Sequence, residues 1–279
     1  MQVGHNMWSF NIFTKYKSAL TDQTKAMNTI SSGLRVNNAM DDPYAIAKDE
    51  NFNLQLRGLQ KASSNAQDTI NLVQTADSAL GGISSLLDRI RELAVQNKND
   101  TYNSDNRSDS QTEVSNLINE IDHLAKSTNI NDVNLLNSAS GSIKCMIGSN
   151  IGETIDIPTF DFQAASIKDA SGNALTSIDV TTSSGCSQAM DIIDSAISSV
   201  NSARNKFGAL ENRLDTSITN GSEISEETQA GDSSIMDADV AAEMMRYSKD
   251  SIIVQAGTAM MAQSNKFPQE VLNILQNVK

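Results

Sequence analysis

Aromatic side chains are scarce: Phe, Trp and Tyr make up only 4% of the 279 residues. A compact core normally draws much of its volume from such rings. With 39% hydrophobic residues in all, burial must rest on aliphatics and Ala, which suits slim helices packed side by side. Proline is scarcer still, at Pro43, Pro158 and Pro268 only. Proline breaks helices, so two stretches of about a hundred residues are free to be long helices. Two cysteines, Cys145 and Cys186, are too few for a disulfide framework or a zinc site of their own. Free buried thiols are favoured over a Cys145–Cys186 pair. Positive charge is in deficit, with 21 Lys and Arg against 34 Asp and Glu, a net charge of −13. Phosphate backbones and anionic membranes are bound through clustered cations. Neither nucleic acid nor a membrane is therefore an expected partner. No apolar run approaches the ~18 residues of a membrane span. The start lacks a charged region followed by an apolar one, and the first Lys is Lys15. The expectation is a cytosolic protein, or one exported without a cleavable signal.

What is present is a helical period. From about residue 3 to 34, Phe13, Tyr16, Leu20, Met27, Ile30 and Leu34 recur at steps of three and four, with Gln23 the one polar member. Val3, Met7 and Phe10 form an adjacent stripe. The segment from Val36 to Pro43 breaks this helix, and Asp41 or Asp42 is placed to cap the next one. That helix starts near Pro43, with any interruption near Gly58. It carries Leu59, Ala62, Ala66, Thr69, Val73, Ala76, Leu80, Ile83, Leu87, Ile90 and Ala94. This seam is longer than an ordinary globular helix needs. A loop is expected over 97–109, rich in Asn, Asp and Ser, then a helix with Val114, Leu117, Ile121 and Leu124.

Residues of about 130–185 change character. Ile155 and Ile157 alternate with Asp156, Phe160 and Phe162 flank Asp161, and Ile178 and Val180 flank Asp179. Glycines punctuate the stretch, which reads as short strands and hairpins. The helical period returns near 187 with Ala189, Ile193, Ala196, Val200, Ala203, Phe207, Leu210 and Leu214. It loosens over 219–236, around Gly221, and resumes through Ile235, Val240 and Met244 toward Met260. A last apolar turn carries Val271, Leu272, Ile274, Leu275 and Val278. The fold class is mainly α: a long antiparallel helical coiled coil or bundle with a small β-hairpin region in the middle of the chain. Breaks near 36–43 and 219–236 suggest two layers. Residues 1–42 with 237–279 form a terminal coiled coil, and 43–236 form a bundle with the hairpin.

Catalytic chemistry is not visible. His5 and His123 lie in separate segments, outside any H-E-x-x-H. No nucleophile elbow, phosphate loop or dinucleotide fingerprint occurs. Asp41-Asp42 and Asp237/Asp239 read as helix caps rather than metal ligands. The Asp/Asn-rich loop lacks the Gly and terminal Glu of a calcium loop. No catalytic, cofactor or metal residue is assigned. Met244, Met245, Met260 and Met261 read either as an adaptable interface or as plain coiled-coil packing. Gly208 and Gly257 interrupt good helices at a cost of about 1 kcal/mol each, which a close helix approach or a hinge would justify and simple tolerance would equally explain.

Several ordered blocks resemble one family. They include Phe10-Asn11, Ser31-Ser32-Gly33-Leu34-Arg35-Val36-Asn37 and Asp41-Asp42-Pro43. Next come Asn65-Ala66-Gln67-Asp68 and Arg89-Ile90-Arg91-Glu92-Leu93-Ala94-Val95-Gln96. Toward the end stand Phe207-Gly208-Ala209-Leu210-Glu211-Asn212-Arg213-Leu214, Asp237-Ala238-Asp239-Val240-Ala241 and Ala262-Gln263-Ser264-Asn265. The chain resembles bacterial flagellin over roughly 1–140 and 187–279. Gly4, Trp8, the two cysteines and the last four residues depart from that pattern, and the large variable outer domains are missing.

The resemblance implies an extracellular subunit that polymerises head to tail into the hollow flagellar filament used for swimming. The terminal helices would line its inner tube (D0-like), and the bundle would form the shell around it (D1-like). Terminal segments of the family fold on assembly. Implied partners are further copies of the chain, an export chaperone, cap and hook-junction proteins, and the host flagellin-sensing Toll-like receptor. Arg89, Leu93 and Glu113 fall where that receptor, or a neighbouring subunit, makes contact. Alternatives are a hook–filament junction or related export-linked axial protein, and a soluble coiled-coil adaptor. Independently of the resemblance, surplus apolar stripes at both chain ends suit heterologous, non-closing contacts. The assembly residues expected are Phe13, Tyr16, Leu20, Met27, Ile30 and Leu34, with Val240, Met244, Met260, Leu272 and Leu275.

Overall fold

A computed structural model describes residues 7–99, 102–138, 141–169 and 172–277. His5 and Val3, placed on the first helix by the sequence, lie outside these residues. In chain order the elements are α1 (Met7–Ser32), α2 (Pro43–Asn97), α3 (Ser104–Ser127), β1 (Ser142–Met146), β2 (Thr154–Pro158), α4 (Ser183–Met236) and α5 (Val240–Asn277), with a single 3₁₀ turn at Leu175–Ser177 before α4. The chain forms two compact units, Met1–Leu54 with Glu227–Lys279 and Gln55–Glu226. The expected borders at 42/43 and 236/237 both fall inside the first unit.

The core of the second unit follows the period of α2 and α4. Every member of the series from Leu59 to Ala94 is buried, and so is every member from Ala189 to Leu214. Val114, Ile118 and Ile121 on α3 complete this core, and Ala125 is buried on the same helix. Each Leu or Ile wholly withdrawn from water, such as Leu80 and Ile193, contributes about 1.5–3 kcal/mol. Thr69, the polar member of the α2 series, has a local reason. Its hydroxyl donates to the Asn65 carbonyl at 2.8 Å and lies 3.0 Å from Cys145 Sγ.

β1 and β2 pair antiparallel with Ile143 opposite Ile157 and Cys145 opposite Ile155. Cys145, Ile155 and Ile157 turn inward onto the core, while Lys144 and Asp156 turn out, the alternation a half-buried hairpin requires. Its tip rests on α2: a Cβ at Gly58 would stand 2.7 Å from Ser149 Cβ, so only glycine lets the tip approach. Cys145 and Cys186 are both free and buried, and burial pushes the Cys186 thiol up.

Four expectations are corrected. First, the loop expected over 97–109 ends early, because α3 begins at Ser104. Asn103 caps it, accepting from Asn106 N–H at 2.8 Å, and Asp105 sits in the favourable first turn. The same Asn, Asp and Ser that read as loop residues are those a helix start favours. Second, the break over 219–236 does not occur. α4 runs unbroken to Met236 through Gly221 and Gly231, each glycine costing only about 1 kcal/mol relative to Ala. Likewise α2 passes Gly58 without interruption. Third, Ile178–Val180 is not a strand. The Gln111 side chain takes the place of a neighbouring strand, donating to Ile178 O at 3.0 Å and accepting from Val180 N–H at 2.8 Å. Fourth, Phe160–Phe162 forms no strand either. Their amides donate to Leu135 O and Leu136 O at 2.8 and 3.0 Å, with only an isolated bridge between Asn137 and Asp161.

In the first unit the connectors between helices are tied together. Arg35 N–H donates to Met236 O at 2.6 Å, Ala238 N–H donates to Gly33 O at 2.9 Å, and the Arg35 guanidinium donates twice to Ile235 O. Val36, Ala45 and Met236 form a small core beside these bonds. The expected caps are present: Asp42 accepts from Tyr44 and Ala45 N–H, and Asp239 from Ala241 and Ala242 N–H.

Asp232, on α4 in the same unit, has one carboxylate oxygen buried without a hydrogen-bond partner. Burial first, and the negative charge of Asp49 and then Asp237, hold its carboxyl above the ordinary carboxylate range. A raised folded-state pKa favours the protonated form, so the stability it carries is present in acid and is lost as pH rises through that value. Asp232→Asn removes the charge and keeps the shape. The expected result is a higher unfolding temperature of the first unit at neutral pH and no gain in mild acid. Thermal unfolding followed at both pH values measures it.

Candidate assembly surface and recognition patch

α1 and α5 lie antiparallel along a seam of alternating three- and four-residue steps. On α1 it passes through Ile12, Tyr16, Ala19, Gln23, Ala26 and Ile30. On α5 it passes through Tyr247, Asp250, Val254, Gly257, Met261 and Ser264. The register is visible where Tyr16 lies over Gly257: a Cβ there would stand 3.3 Å from Tyr16 Cδ2 and 3.5 Å from Tyr16 Cβ. Close helix approach, one of the two reasons suggested for this glycine, therefore applies. At Gly208 a Cβ would meet nothing within 4 Å, so approach does not explain that one. Asp250 is the one charged side chain buried among the described residues, 3.4 Å from Lys249 Nζ.

A bulkier side chain at 257 must displace Tyr16. Gly257→Val is expected to destabilise the α1–α5 pair by about 1–3 kcal/mol, the usual cost of overpacking. Amide hydrogen exchange should accelerate across α1 and α5 and stay unchanged in α2–α4.

The seam is small and thinly apolar. Ala19 and Ala26 are its fully buried aliphatics on α1. The large side chains lie elsewhere. Phe13 is 51% exposed, and Leu20, Met27 and Leu34 are exposed with it. Of the α1 series expected from the sequence, only Tyr16, Gln23 and Ile30 enter the seam. On α5, Val240, Met244 and Met260 are exposed, and so are Ile253, Phe267 and Ile274. Ile274 belongs to the last apolar turn expected from the sequence, whereas Ile253 and Phe267 were missed. Their signal was available: Ile253, Met260, Phe267 and Ile274 repeat every seven residues. The side chains of Leu272 and Leu275 lie outside the described ones.

The second cluster joins α2 to α3. The Arg89 guanidinium donates from Nε and Nη2 to Glu113 Oε1 at 3.0 and 2.8 Å, and from Nη1 to Glu92 Oε2 at 3.2 Å. These carboxylates hold the Arg89 pKa above its ordinary value. Leu93 does not join them at the surface. It is 3% exposed and packs in the core beside Ala94, so its side chain is closed to an outside partner in this conformation. Arg91 adds an exposed ion pair to Asp194 on α4 at 2.8 Å.

Among the described residues no group of three carboxylate, thiol or imidazole side chains could hold a metal. Among the described residues no helix is long and apolar enough to cross a membrane. A bundle that buries its own seams, joined to a helix pair that leaves its large apolar side chains uncovered, defines a structural subunit built for assembly.

The comparisons with known proteins identify which. Residues 3–140 match the bacterial flagellin N-terminal helical region, and 190–275 match the bacterial flagellin C-terminal helical region. The chain is similar to the flagellin of Halalkalibacterium halodurans, 37% identical over 276 residues that cover 99% of this chain and 100% of that one. It is similar to the Bacillus subtilis flagellin, 35% identical over 305 residues with the same coverage of each chain. The flagellar filament 33 kDa core protein of Treponema phagedenis is 35% identical over 288 residues, again at 99% and 100% coverage. The chain belongs to the bacterial flagellin family. It is a structural subunit of the extracellular flagellar filament and not an enzyme. A solved structure described as a flagellar hook-associated protein from Vibrio parahaemolyticus matches with a TM-score of 0.62, covering 71% of this chain and 100% of that one. At 18% identity this is a likeness of fold alone.

Proposed function

We propose that polymerisation of this flagellin is carried by the exposed apolar rows of α1 and α5, with the terminal helices forming an inner tube and the α2–α4 bundle the shell around it. One observation carries the reading. The seams of α2 and α4 are buried within one chain, whereas Phe13, Leu20, Met27 and Met260 stand in solvent on a helix pair. Apolar area left uncovered in one chain gains about 25 cal/mol per Å² when a neighbour covers it.

The test places a charge in each row. Leu20→Asp and Met260→Asp should each abolish sedimentable polymer under salting-out conditions and leave the unfolding of the second unit unchanged. Either variant polymerising at the unmodified chain's rate would refute the assignment.

The Arg89–Glu113–Glu92 patch suits contact with a host flagellin-sensing Toll-like receptor or with a neighbouring subunit, since its charges are exposed and held in place by one another. An export chaperone and the cap and hook-junction proteins are further partners this reading implies.

A further inference from the structure

The apolar side chains left in solvent on α1 and α5 are not chemically alike. Phe13, Leu20, Leu34 and Val240 are hydrocarbons. Met27, Met244 and Met260 carry a thioether, and they are 59, 51 and 55% exposed. A solvent-accessible thioether is open to oxidation, and a sulfoxide disrupts Met-rich contacts. The methionines inside the fold are shielded. Met236 is buried beside Val36 and Ala45, Met190 packs against the bundle core, and Met261 is half-buried in the α1–α5 seam. Cys145 and Cys186 are buried as well. Away from the assembly residues, Met40 and Met146 are exposed, the first in the connector after α1 and the second on β1.

We infer that Met27, Met244 and Met260 are oxidative modification sites through which a peroxide controls entry of a chain into the polymer. This rests on the assembly reading above and adds a control to that surface. In the step, the sulfur lone pair attacks one peroxide oxygen. An S–O bond forms, the O–O bond breaks, and sulfur gives up two electrons. The other oxygen takes the proton of the transferred one and leaves as water.

The product is a polar sulfoxide in place of an apolar thioether. On a free chain water solvates it. A neighbour covering it strips that water, and an unpaired buried polar group is costly. Modification therefore acts on entry. After assembly the same sulfurs are covered, so the polymer resists the oxidation that disables the free chain. The helix pair itself is largely spared, because its seam rests on Ala19, Ala26, Val254 and Gly257, with Met261 its one thioether. The step is reversible: a sulfoxide reductase removes the oxygen as water while a dithiol is oxidised to a disulfide.

Hydrogen peroxide applied to the unpolymerised chain, before salting out, tests it. Peptide mass mapping reads sulfoxide at each methionine. The treated chain should carry sulfoxide at Met27, Met244 and Met260 and yield about tenfold less sedimentable polymer. Thermal unfolding of the second unit should not change. The triple variant Met27→Leu, Met244→Leu, Met260→Leu keeps most of the volume without sulfur. It should polymerise equally before and after treatment. A control carrying Met40→Leu and Met146→Leu should stay as sensitive as the unmodified chain. Undiminished polymer from a chain bearing the three sulfoxides overturns the inference and leaves the assembly reading standing. Protection by the control equal to that of the triple variant also overturns it. So does oxidation of these methionines as fast in the polymer as in the free chain. If the triple variant does not polymerise, the oxidised unmodified chain is treated with methionine sulfoxide reductase and dithiothreitol. Recovered polymer then supports the inference, and no recovery once the thioethers are restored overturns it. Absence of polymer from the untreated, unmodified chain would instead refute the assembly reading.

Discussion

Removal of residues 245–279 is expected to abolish filament formation and to leave the second unit folded. The deletion takes most of α5, and with it the partner of the α1 seam and the whole Ile253–Ile274 row. α1 alone is a helix of 26 residues with two small buried side chains, Ala19 and Ala26. Helix formation in water is costly to nucleate, and most helical stability in proteins comes from packing. α1 should therefore lose its helix as well. Removal of 1–33 should act equally, since it strips the other half of the pair. The second unit is spared because the members of its core lie between Ala66 and Leu214. Sedimentation after salting out reads the polymer, and thermal unfolding by circular dichroism reads the bundle. Filament growth by the truncated chain would contradict the assignment of assembly to the terminal helices.

Phe207→Ala should do the reverse, damaging the bundle first. Phe207 is wholly buried on α4. It meets Phe160 edge-on at 5.4 Å between ring centres, and Phe160 in turn lies 5.9 Å from Phe162. Lys206 Nζ stands 5.3 Å from the Phe160 ring. In a chain so poor in aromatics, these rings pin the segment after the hairpin onto α4. Deleting a buried Phe side chain removes its transfer energy and leaves a cavity, so the expected loss is about 3–5 kcal/mol. For a unit of this size that lowers the unfolding temperature by roughly 10 °C or more. Phe207→Leu, which keeps most of the volume, should cost under about 1.5 kcal/mol. Urea denaturation of the three chains measures the series. Equal losses for Ala and Leu would show that the ring, and not the volume, decides stability there.

The long helices were legible because the period of α2 and α4 is strict and wholly satisfied within one chain. Leu59 to Ala94 and Ala189 to Leu214 are apolar nearly throughout, so the pattern and the burial coincide. The hairpin was legible from the alternation at Ile155 and Ile157. The connecting regions were not. Gln111 acting as a surrogate strand for Ile178 and Val180, and Asn103 as the cap that starts α3, are contacts across space or choices between two local bonding patterns. Composition does not distinguish them.

The terminal pair divides the two kinds of information most sharply. That α1 and α5 are amphipathic, and that their apolar surface exceeds what one chain can bury, is written in the residue types and spacing alone. Which stripe turns inward is not. Phe13, Leu20 and Met27 are the more hydrophobic choice for a seam, yet Ala19, Ala26 and Gly257 occupy it. Close approach of two backbones selects small side chains, and Tyr16 needs the space that only glycine leaves. The inward face is decided by steric fit between residues 241 positions apart along the chain, a quantity no local period contains. The large side chains are thereby turned outward, where another subunit can cover them.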